Sequence, residues 1–113
     1  MSINGFCQIN AQSEKLSQEE IKSFILTETK EGGKLDFFTP IIGKEYNGVQ
    51  VKQGLFMTNI ELALYKWGKV NFEIGVEDIA TALQIFKEFR GRELSSREKD
   101  IIPMGYRNNL VKK

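Results

Sequence analysis

With 113 residues, 41% of them hydrophobic, and a formal net charge of +1, the chain predicts one domain around one core. Histidine is absent, which excludes Ser-His-Asp and Cys-His nucleophile pairs, imidazole acid–base chemistry and a single-chain Cys/His zinc site. The lone cysteine, Cys7, closes no disulfide within the chain and reads as a buried, inert thiol in a reducing, cytoplasmic setting.

The N-terminus MSINGFCQINAQ has no basic flank before an apolar run, so the expectation is a protein without a cleaved signal. Its apolar stretches fall far below the ~18 residues of a membrane span. Ile3 to Ile9 alternates apolar and polar and predicts a short first strand, bulged at Gly5. Leu16 to Ile21 then has the parts of a helix start: Ser17 as N-cap, Glu20 closing a capping box, and Leu16 with Ile21 as a hydrophobic staple. Ile21, Phe24 and Ile25 share one face of this helix, which should stop at Gly32-Gly33.

From Lys34 the period changes to two. Leu35 to Ile42 predicts a strand that Pro40 breaks or confines to an edge, and Asn47-Gly48 is a hairpin signal, with Val49 and Val51 returning toward Gly54. Ile60, Leu62 and Leu64 alternate with polar or small neighbours, as do Val70, Phe72 and Ile74. Pairing 60 with 74, 62 with 72 and 64 with 70 leaves Lys66-Trp67-Gly68 as a three-residue loop, with glycine where such a loop needs the left-handed region. That register sets Glu61 opposite Glu73, an arrangement that calls for a neutralising lysine such as Lys52, a cation or a basic partner.

A second helix is predicted over Glu77 to Arg90, with Ile79, Leu83 and Phe86 on its apolar face and Gly91 just past its end. Ser95-Ser96-Arg97-Glu98 is another capping box and opens a short third helix that Pro103 should stop. The resulting fold class is α+β: a mainly antiparallel sheet of about four to five strands with two amphipathic helices on one face. Residues 1–103 form the domain and residues 104–113 a basic tail.

No phosphate loop and no G-x-G-x-x-G occurs, the nearest glycine cluster being Gly32-Gly33. A metal-nuclease Glu-x-Lys on a strand is missing too: Glu45, Glu61 and Glu73 are followed two places later by Asn47, Ala63 and Gly75, and Glu20-Ile21-Lys22 falls on a helix. The reading is therefore a binding module that is not an enzyme, with no cofactor and no metal; an enzyme would have to work through Glu61 and Glu73.

Charge is placed unevenly. Residues 1–86 carry eight basic and eleven acidic side chains and residues 87–113 eight and four, so the C-terminal quarter is the basic part. Two surfaces follow. Tyr65, Lys66, Trp67 and Lys69 form an aromatic and basic hairpin tip, and Arg90, Arg92, Arg97, Lys99, Tyr106, Arg107, Lys112 and Lys113 form an electrostatic segment; basic side chains beside aromatic faces neutralise phosphate and stack on bases. The plainer reading of the same residues is a tryptophan folded over the core rim and a set of solvated cations near helix ends.

A four-strand meander whose last member, Lys69 to Ile74, runs directly into the helix Glu77 to Arg90 resembles PUR-repeat and Whirly-type single-strand nucleic-acid binders. The resemblance covers residues 34 to 91 as topology and implies a nucleic-acid surface on the outer sheet face. Here that face carries Asp36, Glu61 and Glu73 against Lys52 and Lys69, which leaves the tip and the C-terminal segment as the candidates. Two functions are expected: binding of single-stranded DNA or RNA, or binding of a protein partner as a small regulator or inhibitor through exposed aromatics and the acidic sheet face. No membrane partner is expected. Open sheet edges would allow a homodimer, which Pro40 and the scattered lysines would oppose.

Overall fold

A computed structural model of the chain describes residues 17–108. In chain order it contains α1 (Gln18–Thr29), a 3-10 turn (Thr39–Ile41), β1 (Gly48–Lys52), β2 (Leu55–Thr58), α2 (Asn59–Ile74), α3 (Ile79–Arg90) and α4 (Ser96–Tyr106). The strand expected over residues 3–9, Cys7 and the Leu16 half of the staple lie outside the described residues.

The helix starts follow the sequence. At α1 the Ser17 hydroxyl accepts from Glu20 N at 3.1 Å and the Glu20 carboxylate accepts from Ser17 N at 2.9 Å. The same reciprocal pair opens α4 at Ser95 and Glu98. Asp78 caps α3 by accepting from Thr81 N at 2.8 Å, and Gly91, in the left-handed region, ends that helix. Each such cap stabilises its helix by about 1 kcal/mol, because it satisfies backbone donors that have no partner inside the helix. Pro103 does not stop α4, which continues to Tyr106. With no N–H of its own, Pro103 leaves only the Lys99 carbonyl without its helical donor, and the helix tolerates that loss.

The largest departure from the sequence reading is at residues 59–74, which form one 16-residue helix and not two strands with a Lys66-Trp67-Gly68 loop. Thr58 and Glu61 build a third capping box at its start, with Glu61 N donating to Thr58 Oγ1 at 3.2 Å and Thr58 N to Glu61 Oε1 at 3.0 Å. Gly75 ends it in the left-handed region. Leu64, Trp67 and Asn71 are buried on one face at helical spacing, while Lys66 and Glu73 are exposed on the other.

Among the described residues the sheet is one antiparallel pair, β1 with β2, in place of the expected four to five strands. Gly48 faces Thr58, Val49 faces Met57 and Gln50 faces Phe56. The reversal is Gln53-Gly54, with Gly54 at φ 80°, and not Asn47-Gly48. Leu35 to Ile42, expected as a strand, is a turn organised by Asp36. Its carboxylate accepts from Gly32 N, Phe38 N and Thr39 N at 2.9, 3.1 and 2.9 Å, and Pro40 then opens the 3-10 turn.

The helices pack mainly on one another instead of on a sheet face. α2 lies along α4, α1 on α3, and α3 also touches α4, while the ribbon meets the helices chiefly where β2 runs into α2. The α2/α4 crossing is close because both sides are glycine: a Cβ on Gly68 would stand 2.2 Å from the Ile102 carbonyl oxygen, and one on Gly105 would stand 2.0 Å from that of Tyr65. The core between the helices holds Ile25, Leu64, Trp67, Ile85, Phe86 and Ile102, all essentially inaccessible.

Candidate binding surface

The residues expected at a hairpin tip do not form one. Trp67 is 0% exposed, its ring edge-on to Phe86 at 4.8 Å and its Nε1 donating to Thr29 Oγ1 at 3.0 Å. Tyr65 is buried too; its hydroxyl donates to Asn108 Oδ1 at 2.8 Å, and burial pushes the phenol above its ordinary pKa. Lys66 points to solvent and Lys69 is half-buried, so no aromatic lies exposed between the two lysines. Glu61 and Glu73 sit twelve positions apart on one helix, about 18 Å along its axis, so the facing carboxylate pair does not form, nor does the acidic sheet face. Among the described residues no group of three or more His, Cys, Asp or Glu is placed to hold a metal ion. No described helix is long and apolar enough to cross a membrane.

The C-terminal cations fare differently. The turn from α3 into α4 brings Arg90, Arg92 and Arg97 onto the wall of one cavity of about 570 Å³, which Tyr46 and Ser95 also line. Arg92 forks onto Glu98, Nη1 to Oε1 at 2.9 Å and Nη2 to Oε2 at 2.8 Å. Arg97 lies 5.5 Å over the Tyr46 ring with its Nε 3.9 Å from Glu61 Oε2. Arg90 is held among the rings of Phe38, Phe86 and Phe89 at 5.0, 5.1 and 5.0 Å. The remaining candidates stand apart: Lys99 is exposed on a shallow groove with Lys87 and Glu93, and Arg107 is exposed at the end of α4. Tyr106 donates to the Val76 carbonyl at 2.7 Å, and its phenol is pushed up by burial and by Asp78 and Glu77. Lys112 and Lys113 lie outside the described residues.

Glu98 joins the capping box to this cavity. Burial pushes its carboxyl up, but the Arg92 fork, the Ser95 N–H and the charges of Arg92 and Arg90 outweigh that and hold it below the usual carboxylate range. A depressed folded pKa means stability present above the unfolded value of about 4.3 and lost as pH falls through the folded value. Glu98→Gln is therefore expected to be less stable than the wild type at pH 6, with the gap narrowing as pH drops through the acid range. Melting temperatures of both proteins between pH 6 and 3 check this; a constant gap contradicts it.

Nothing in the residue pattern singles out the most exposed apolar groups. Tyr46 is 71% exposed, Ile42 70% and Phe56 65%, all on the loop and ribbon that precede α2. The loop is nonetheless fixed: Ile60 N donates to Glu45 O and Asn59 N to Asn47 O, both at 2.9 Å. Phe56 stands on the ribbon face opposite Met57, which is buried, so the ribbon's period of two presents one aromatic outward by construction. Lys44 and Lys52, on the same loop and ribbon, are exposed and without an ion pair among the described residues. No known protein family, curated protein or solved structure matches the chain, so neither the resemblance to PUR-repeat and Whirly-type binders nor any other identity gains support from relatives.

Proposed function

We propose that the protein is a non-enzymatic binding module that docks a protein partner on the face carrying Ile42, Tyr46 and Phe56. The observation that supports this reading is the exposure of one aliphatic and two aromatic side chains, 65 to 71%, on backbone that is itself well hydrogen-bonded. Burying a side chain of this size gains roughly 1.5–3 kcal/mol, and tyrosine and arginine are the residue types that anchor interfaces. Arg97 lies over Tyr46, and Lys44 and Lys52 are exposed on the same loop and ribbon, so the complementary partner presents apolar side chains beside acidic ones. A nucleic-acid reading is weaker here: Trp67 is inside the core, and Arg92 and Arg97 already face Glu98 and Glu61.

The test is site-specific photo-crosslinking in extract, with p-benzoyl-phenylalanine placed at position 46, at position 56, or at position 66 as control. The expected result is the same protein adduct from 46 and 56 and none from 66. It should map to an acidic and apolar segment of the partner, and it should be lost with Ile42→Ser. Nucleotide adducts, self-adducts, equal labelling from position 66 or no adduct at all would each overturn the proposal.

A further inference from the structure

The geometry points to a second site that the docking face does not require: we propose that Arg90 is the receptor of a small oxyanion, a phosphate or a carboxylate, entered from the larger cavity. Its guanidinium has no hydrogen bond or ion pair among the described residues, and its Nε is buried without a partner. A desolvated donor left unmade costs about 1–3 kcal/mol, more when charged, so the group gains from any acceptor that reaches it. Three phenylalanine rings hold it in place without consuming a donor. With Glu45 and Ile60 it lines both the 570 Å³ cavity and a smaller one of about 220 Å³, and it is the only cation common to the two.

The neighbouring charges fit an acceptor from outside. Asp36 and Glu98 are near enough to feel Arg90, but Asp36 accepts from Gly32, Phe38 and Thr39 N–H, and Glu98 from the Arg92 fork and Ser95 N–H. Glu45, which reaches both cavities, accepts from Gly43 N at 3.0 Å, and Glu31 lines only the smaller one. The larger cavity carries Arg92 and Arg97, each already facing a carboxylate, while the smaller one carries Glu31, Asp36 and Glu45 and no cation besides Arg90, so the larger side is the less repulsive entrance for an anion. Burial, with the Arg92 charge, pushes the Arg90 pKa down, while Glu98 and Asp36 offset part of it; the group stays charged at neutral pH. An oxyanion meets a guanidinium in its plane through two N–H groups at once, a geometry that lysine cannot reproduce.

The experiment follows the arginine Nε–Hε resonances of the full-length protein by NMR during titration with sodium phosphate and, separately, sodium acetate, against sodium chloride at matched ionic strength. The expected result is a saturable shift of the Arg90 signal that chloride does not reproduce, with at least about tenfold weaker binding in Arg90→Lys, an effect of about 1.4 kcal/mol. Response to phosphate, to acetate or to both supports the site and names its ligand. A shift matched by chloride, a shift confined to Arg92 and Arg97, or undiminished binding by a folded Arg90→Lys would overturn it. Should Arg90→Lys fail to fold, the wild-type titration alone decides.

Discussion

Replacing Trp67 with alanine is expected to destabilise the protein by about 3–5 kcal/mol, the range for deleting a large buried aromatic. The indole is wholly enclosed, packed edge-on against Phe86 and tied through Nε1 to Thr29 Oγ1, whose own hydroxyl donates to the Ile25 carbonyl. Truncation opens a void between α1, α2 and α3 and leaves the threonine oxygen short of a donor. A tryptophan on an exposed hairpin loop would change stability by no more than about 0.5 kcal/mol on the same substitution. Urea denaturation followed by circular dichroism separates the two, because a loss of the larger size consumes much of the 5–15 kcal/mol that domains generally possess.

A methyl group at position 68 should also be damaging, although on an exposed helix the same change would help. Alanine in place of glycine ordinarily gains about 0.5–1 kcal/mol in a helix interior. Here the added Cβ would meet backbone, 2.2 Å from the Ile102 oxygen and 3.1 Å from both the Ile102 carbonyl carbon and Tyr106 N, and none of these atoms can rotate away. α2 and α4 must separate, and that loosens the packing of Leu64 and Ile102 along the crossing. The expected result for Gly68→Ala is a loss of roughly 1–3 kcal/mol or more. Gly105→Ala should behave alike, its Cβ falling 2.0 Å from the Tyr65 oxygen. An increase in melting temperature for either variant would mean that the crossing is not this close.

Capping boxes in the sequence were reliable, whereas the Asn47-Gly48 turn signal, the Pro103 stop and the period-two runs were not. The capping boxes at Ser17 and Ser95 are complete within four residues, and both helices begin there. The third box, Thr58 with Glu61, was present in the same form and outweighs the alternation after it. Residues 60 to 74 are apolar at so many positions that periods of 2 and 3.6 both fit. What settles the matter is a length too great for one strand and a run rich in Leu, Ala, Glu and Lys. Gly68 looked like a turn residue because the reason for it, the backbone of α4 passing alongside, is a tertiary fact. The candidate site was legible only as a basic stretch. That Arg90, Arg92 and Arg97 line one cavity depends on the α3–α4 turn, and the cage around Arg90 uses Phe38 from a segment far away in the chain. The exposure of Phe56 depends on a ribbon phase set by Gln53-Gly54.

Residues 59–74 form one helix with its tryptophan in the core, which takes Trp67 out of any surface. Trp67 is the only tryptophan in the chain, so its emission reports on this one position. Acrylamide quenching of the native protein, set against the same protein in urea, is the most direct test. The expected result is emission at the short wavelengths of an enclosed indole and quenching many times slower than in urea. Native emission at the wavelength of the unfolded chain, with equal quenching, would contradict it.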